Sequence, residues 1–353
     1  MALIHPRSLE RWQEWQASRH RARQFKHAVT GAIRSRRADA PSQPGLLLHS
    51  RGGDDNDRRI LIAVDSASPT SRTSLLTALP YLSVAVDVLA PAEVELPELT
   101  GEEWTRQIVS APRELLGSRG IVSVLSLGWH LRVGRLAHEW ALEQGIPAAV
   151  VQHGALTPFA PPLPPQTTLL AWNDADAEFY RSGRDDLAVR TVGSQLLWQA
   201  GHDAGDLGDE LDEQMVFLGQ MHGAELPRRI TAGTAYRFCR REGALYRPHP
   251  AETDVLSRSA HSLMQRRGIE FQDPTLPLHE LRHPVVGVFS TGVLEAAMRG
   301  LPAWVEATHA PAWVQEFWDR YGMRRFGGEP TAAPEVPADE PSRVISQVLE
   351  GAA

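Results

Sequence analysis

Short apolar runs alternate with amphipathic stretches along most of the chain. The runs at 60–64, 121–127 and 147–151 contain few polar residues, as buried strands of parallel sheets do. Polar residues follow each run, and apolar residues then recur at helical spacing. Strands that alternate with helices form right-handed βαβ units, so the pattern predicts an α/β fold built on parallel sheets.

The alternation falls into two series of comparable length. The first occupies residues 45–200 and the second occupies residues 214–330. The acidic, glycine-rich stretch 201–213 is interpreted as the connection between them, and 331–353 as a tail with a short helix. A chain of 353 residues usually forms two domains, because single cores rarely grow beyond about 250–300 residues. We therefore predict two Rossmann-like parallel-sheet domains that face each other across a cleft.

Some elements are predicted individually. In the first series, 46–49 has the composition of a short strand, and 102–116 has the pattern of a helix. Asn173 or Asp174 is expected to cap a helix that runs through Tyr180. In the second series, a strand is expected at 268–271.

The N-terminal segment, residues 1–37, contrasts in charge with the rest of the chain. Residues 6–37 are predicted to form one basic helix, with nine basic and two acidic side chains. One interpretation is a helix packed on the first domain with a solvated arginine face. The other is an interfacial helix drawn to anionic lipid or to an anionic acceptor polymer.

Composition narrows the class of protein. A net charge of −7, with 42% hydrophobic and 22% charged residues, argues against a nucleic-acid binder, which would carry a basic domain. The single cysteine, Cys239, rules out an internal disulfide and a cysteine-ligated zinc site. No signal-peptide pattern and no run of about 18 apolar residues is found. We expect a cytoplasmic protein, with attachment to the inner face of the plasma membrane as the open alternative.

Polar residues at strand ends of the second series predict a phosphate site. Arg247 and His249 project the same way from an extended segment that the neighbouring prolines hold out of a helix. Ser290, Thr291 and Gly292 open a helix, whose N–H groups and dipole suit an anion. Ion pairing and ordinary helix capping are the alternative explanations. The predicted donor-binding residues are Gly219, Arg247, His249, Pro250, Ser290, Thr291, Gly292 and Glu295.

Residues at strand ends of the first series are candidates for acid–base chemistry. His153 follows an apolar strand and precedes a glycine, and an imidazole near neutral pH suits removal of a proton from a hydroxyl. The alternative is a structural histidine that bonds its own loop. Asp65 and His130 end strands of the same series and are the reserve candidates.

Several cofactor motifs do not occur in the sequence. It contains no GxxxxGK[ST] loop, no GxGxxG after a strand and no HExxH. We therefore predict no cofactor and no metal, with phosphate charge neutralised by Arg247, His249 and a helix N-terminus.

Two stretches resemble a known family. Residues 246–252, YRPHPAE, and residues 289–302, FSTGVLEAAMRGLP, resemble the donor half of bacterial GT-B transferases of surface polymers. The nearest types are CDP-glycerol glycerophosphotransferases and bacterial sialyl- and polysialyltransferases. In that family an HP motif and a Ser/Thr pair hold the cytidine nucleotide. The resemblance implies this role for His249 and Pro250, and for Ser290 and Thr291.

The end of the first series resembles the same family. In the family, a histidine in a His-Gly loop acts as the base, which the resemblance places on His153 in the stretch VVQHG. The similarity covers about residues 147–306 and implies a GT-B-like fold.

The function expected from these features is inverting, metal-independent transfer. A sugar or polyol phosphate would move from a nucleotide-activated donor to a hydroxyl of a bacterial surface glycan or a lipid-linked acceptor. CMP- or CDP-linked donors are favoured and UDP stays open. One alternative is a UDP-sugar 2-epimerase-like enzyme, for which the paired acidic and basic residues of its elimination step are not found. The other is a non-catalytic GT-B binding module, which a missing acceptor-side base would favour, so His153 is the residue that discriminates it from the transferase.

Overall fold

The computed structural model describes residues 2–19, 45–54, 57–203 and 211–351. They form two compact units. The first unit contains Ala2–Gly154, Phe159–Gln195 and Pro337–Ala353, and the second contains Ala155–Pro158 and Leu196–Val336. The predicted basic helix beyond Arg19 and residues 204–210 of the predicted connection lie outside the described residues.

The first unit is built on an eight-stranded sheet. Its strands are β1 (Leu46–Arg51), β2 (Arg59–Ala63), β3 (Ala85–Pro91), β4 (Trp104–Val109), β5 (Ile121–Ser126), β6 (Ala148–Val151), β7 (Thr168–Ala171) and β8 (Ala188–Thr191). They lie in the order β4-β1-β3-β2-β5-β6-β7-β8. β1 pairs antiparallel with β3 and β4, and the pairs from β3 to β8 are parallel. Because the chain first adds β3 on one side of β2 and later β5 on the other, the topological switch point lies between β2 and β5.

Helices cover the sheets. They are α1 (Leu9–Arg19), α2 (Pro69–Leu76), α3 (Pro112–Gly117), α4 (Arg132–Gln144), α5 (Asp174–Arg181), α6 (Gln195–His202), α7 (Arg228–Glu242), α8 (Val255–Arg266), α9 (Thr291–Met298), α10 (Ala312–Arg320) and α11 (Pro341–Glu350). Alternate residues of β2 point to opposite faces. Ile60 and Ile62 join a core with residues of α2 and α11, and Leu61 and Ala63 join a core with residues of α4. The C-terminal helix therefore completes the first unit.

Helix α1 packs on the first unit through aromatic side chains. Trp12 is 5% exposed, and its Nε1 donates to the carbonyl oxygen of Phe159 at 2.7 Å. Trp15 stacks on the Phe159 ring, with centroids 4.7 Å apart. This agrees with the packed interpretation for residues 9–19.

The second unit is built on a four-stranded parallel sheet. Its strands are β9 (Val216–Leu218), β10 (Leu245–Arg247), β11 (Val285–Gly287) and β12 (Ala303–Val305), in the order β10-β9-β11-β12. Single bridges extend it, from Tyr246 to Phe271 at one edge and from Val305 to Arg325 at the other. Numbered along the chain, the six segments lie in the order 3-2-1-4-5-6, the Rossmann order, with its switch point between β9 and β11. The predicted class, α/β with two Rossmann-like parallel-sheet domains, is confirmed.

Two predicted elements are wrong or reduced. The helix expected at 102–116 is replaced by the edge strand β4 and the short α3. β4 forms because its backbone pairs along its whole length with β1, and long-range pairing overrides local helix preference. The strand expected at 268–271 is only the bridge at Phe271. The short strand expected at 46–49 is confirmed as β1, and Asn173 caps α5 through its bond from Asp176 N–H.

Candidate functional site

The switch point of the second sheet gathers three polar loops. They follow β9, β10 and β11, whose carboxyl ends lie side by side. Gln220, in the loop after β9, accepts through Oε1 the N–H groups of Val288 at 3.2 Å and Phe289 at 2.9 Å. This side chain, which the sequence prediction missed, fixes the loop after β11 to the loop after β9. Ligands of open α/β sheets bind at this position.

Helix α9 begins at this switch point. Ser290 is its N-cap, and Ser290 Oγ accepts the N–H of Gly292 at 3.1 Å. Thr291 Oγ1 accepts the N–H of Ala155 at 3.0 Å. A Cβ at position 292 would lie 2.8 Å from Leu218 Cδ1, so glycine allows the helix to start close against β9. The first-turn N–H groups of a helix have no intrahelical acceptor and form the positive end of its dipole, which favours an anion here.

His249 presents a neutral hydrogen-bond donor in the loop after β10. Its ring stacks on His222, with centroids 3.8 Å apart, and its Nδ1 accepts the N–H of Ala251 at 3.1 Å. In the neutral ring the proton is therefore on Nε2. Burial lowers the pKa of His249, and it lowers the pKa of His222 to about 4, helped by the charges of His249 and Arg228. In the described part of the chain, the buried Nδ1 of His222 has no hydrogen-bond partner.

A buried carboxylate holds the loops after β9 and β10 together. Glu252 is 4% exposed and accepts the N–H of Met221 at 2.7 Å and the hydroxyl of Tyr246 at 2.8 Å. His261 Nε2 lies 2.8 Å from Oε2, the carboxylate oxygen that accepts the Tyr246 hydroxyl. A Cβ at Gly219 would lie 2.8 Å from Glu252 Oε1. Gly219, predicted as a ligand residue, thus provides the room in which this network forms.

Arg247 anchors a neighbouring loop of the second unit. Its guanidinium donates to the side chain of Gln272 and to backbone oxygens of Asp273, Pro274 and Leu276. These bonds anchor the loop at 272–276 against the end of β10. The structure therefore shows a positioning role for Arg247, and its contact with an anion stays a prediction.

Glu295 lies one turn into α9. Burial raises the pKa of this carboxyl to about 7, against the opposing influence of the Arg299 charge. The carboxyl therefore exchanges its proton near neutral pH, which is common for groups at functional sites.

The first unit brings the three acid–base candidates to one edge of its sheet. Asp65, His130 and His153 follow the neighbouring strands β2, β5 and β6. The Asp65 carboxylate accepts the N–H groups of Val133 at 2.7 Å and Gly134 at 2.9 Å. Asp65 thus binds the first turn of α4, which is a structural use of its charge.

His130 and His153 are electrostatic neighbours. Burial lowers the pKa of each ring to about 4, and the charge of His153 adds to the effect on His130. Both are neutral at pH 7. In the described part of the chain, the buried Nδ1 of His130 has no hydrogen-bond partner, and the His130 ring meets Trp12 edge-on.

Gln152 positions the loop that carries His153, and the sequence prediction missed it. Its Nε2 donates to the buried Asp176 carboxylate at 2.6 Å and to the Gly154 carbonyl at 3.1 Å, and its Oε1 accepts the N–H of Trp172 at 3.0 Å. In the sequence, this role could have been inferred only from the position of an amide side chain directly before His153. Among the described residues, no cluster of histidine, cysteine and carboxylate side chains is arranged to hold a metal. No helix of the described residues has the length and apolar character needed to cross a membrane.

The fold and these clusters define a two-unit α/β protein with polar residues at the switch point of each sheet. No family model and no curated protein matches the sequence. Two solved structures that the chain resembles are a UGT transferase from Siraitia grosvenorii in complex with UDP and the glycosyltransferase SnogD from Streptomyces nogalater. The first is 13% identical, with 83% of this chain and 90% of that chain covered and a TM-score of 0.39. The second is 12% identical, with 84% and 94% covered and a TM-score of 0.31.

Proposed function

We propose that the chain is a GT-B-like transferase that uses a nucleotide-activated donor. The observation that carries the proposal is the convergence at the second switch point of the α9 start, the His222–His249 stack and the Glu252 network. A phosphate oxygen of the donor accepts the N–H of Thr291 at the positive end of α9. His249 Nε2–H donates to the same phosphate, and Glu295 accepts from the ribose hydroxyls. Arg247 positions the loop at 272–276.

Transfer is an inverting displacement that needs no metal in this proposal. The oxygen of an acceptor hydroxyl attacks the transferred group and forms the new bond. The bond to the nucleotide phosphate breaks, and its electron pair leaves with that phosphate. His153 takes the hydroxyl proton, because its neutral ring has a lone pair for it. The donor is CMP- or CDP-linked or UDP-linked, and the acceptor is a surface glycan or its lipid-linked precursor.

Nucleotide binding is measured by thermal shift with CMP, CDP, UDP and GDP, each in EDTA. A ligand at about a hundred times its Kd stabilises the folded state by about 2.7 kcal/mol. At least one nucleotide should raise the melting temperature, and His249→Ala should weaken its binding about tenfold because one hydrogen bond to a charged group is lost. The matched variant is His279→Ala, an exposed imidazole of the same unit. Stabilisation by none of the four nucleotides would refute the donor site.

The role of His153 is tested by nucleotide release from a panel of activated donors with added glycan acceptors. His153→Ala should lower the rate about a hundredfold or more, since a general base contributes about 10²–10⁴-fold. The variant should keep the nucleotide-induced thermal shift, which separates catalysis from binding. An active His153→Ala enzyme would remove His153 from the base role, and binding without any turnover by the wild type would favour a binding module.

A further inference from the structure

Helix α8 exposes large apolar side chains. Val255, Leu256 and Leu263 are 49%, 59% and 53% exposed. The opposite face packs on the second unit through Ser257 and Met264. Eight large apolar side chains of the described residues are exposed in this way, and three of them lie on this one helix. Single exposed apolar residues are normal, but a contiguous group on one face marks an interaction surface.

The charged side chains of the same helix are all cationic. Between residues 255 and 267 the sequence has three arginines, Arg258, Arg266 and Arg267, and no carboxylate. All three are exposed. Arg240, from the end of α7, adds a further cation because it donates to the carbonyl oxygen of Arg267 at 2.7 Å. The chain as a whole carries a net charge of −7, so the charge of this helix is opposite in sign to that of the chain.

We propose that the exposed face of α8 binds an anionic phospholipid surface. Apolar side chains on one helix face enter the boundary between headgroups and acyl chains, while arginines at its edge meet lipid phosphates. A second copy of the chain fits less well, because a stable interface needs about 800 Å² and 20–30 residues from each partner. Helix α8 has 12 residues, and its arginines would repel the same face of another copy. Its exposed apolar and arginine side chains are not among the proposed donor residues, and the surface would hold the protein where a lipid-linked acceptor lies.

Binding is measured by sedimentation of the full chain with phosphatidylcholine vesicles, with and without phosphatidylglycerol. The wild type should pellet only with the anionic vesicles. Leu256→Ser/Leu263→Ser should weaken partitioning by about tenfold or more, because two apolar side chains lose their burial. Arg266→Gln/Arg267→Gln should weaken it about fivefold for each arginine. Leu142→Ser is the matched control, since Leu142 is 45% exposed on the first unit and should change nothing.

A site-specific label gives a second measurement. The only native cysteine, Cys239, is buried and burial raises its thiol pKa to about 12, so Leu263→Cys can be labelled selectively with an environment-sensitive dye. The emission should shift to the blue on anionic vesicles, and that of Leu142→Cys should not.

Two outcomes would overturn the proposal. One is the absence of pelleting by the wild type, whether or not the protein self-associates. The other is pelleting by both double variants at the wild-type level, which would move any lipid contact to residues outside α8, such as the basic segment 6–37. The double variants should keep the nucleotide-induced thermal shift, so a failure here is distinguishable from a failure of the donor site.

Discussion

Acidification from pH 8 to pH 5 should unfold the first unit before the second. The first unit contains His130, His138 and His153, and burial lowers the pKa of each to about 4. The unfolded chain binds protons on these rings near pH 6.5, whereas the folded chain does not, so stability falls as the pH drops from about 6.5 to about 4. At pH 5 each ring lowers the free energy of unfolding of the first unit by about 2 kcal/mol. The three rings together lower it by about 6 kcal/mol, which is close to the whole stability of many domains.

The second unit has opposing groups. His222 destabilises the second unit in acid in the same way, because its pKa is lowered to about 4. The pKa of Glu295 is raised to about 7, so its contribution to stability improves as the pH falls from about 7 towards its unfolded value. At pH 5 the two effects are each about 2–3 kcal/mol and offset one another.

Hydrogen exchange at a series of pH values, corrected for the intrinsic rate, distinguishes the units. Protection should be lost from β5 and β6 at a higher pH than from β9 and β11. His138→Gln removes a ring that is bonded to Ser126 Oγ in the first unit. Compared with the stability of the same variant at pH 8, its loss of stability in acid should be smaller, so the first unit should lose protection at a lower pH. Exposed His279→Gln should not. Equal loss of protection in both units would contradict this account of the histidines.

Replacing Glu252 by alanine should cost the second unit about 3–5 kcal/mol. The change leaves the buried hydroxyl of Tyr246 and the N–H of Met221 without their acceptor, and a buried polar group with no partner is costly. Nucleotide binding should fall with stability, because the loops after β9 and β10 lose the contact that aligns them.

Urea unfolding and nucleotide titration check this prediction. Glu252→Gln should be milder, since its amide oxygen can still accept one of the bonds, and it serves if the alanine variant does not fold. Exposed Glu270→Ala is the control for loss of a carboxylate in the same unit. A Glu252→Ala protein with wild-type stability and affinity would show that the network does not organise the site.

The sequence predicts the parts of the fold that depend on short-range pattern. Apolar runs locate the strands around Ile62, Val124 and Val150, and polar residues after them locate the candidate sites, because strand ends and helix starts have local signals. Ser290 is readable as an N-cap for the same reason.

Contacts between residues far apart in the chain cannot be predicted from such local patterns. β4 exists because it pairs with β1, more than 50 residues earlier. The hydrogen bonds of Arg247 depend on the path of residues 272–276, and those of Asp65 depend on the position of α4. Each of these side chains was assigned to chemistry from its position in the sequence alone, and the structure shows a partner inside the protein.

A crystal structure with CDP or UDP tests the central claim most directly. The account predicts that a phosphate lies within hydrogen-bond distance of the backbone N–H of Thr291 and of Nε2 of His249, with the ribose near Glu295. A nucleotide bound elsewhere in the second unit, or on the first unit, would contradict it.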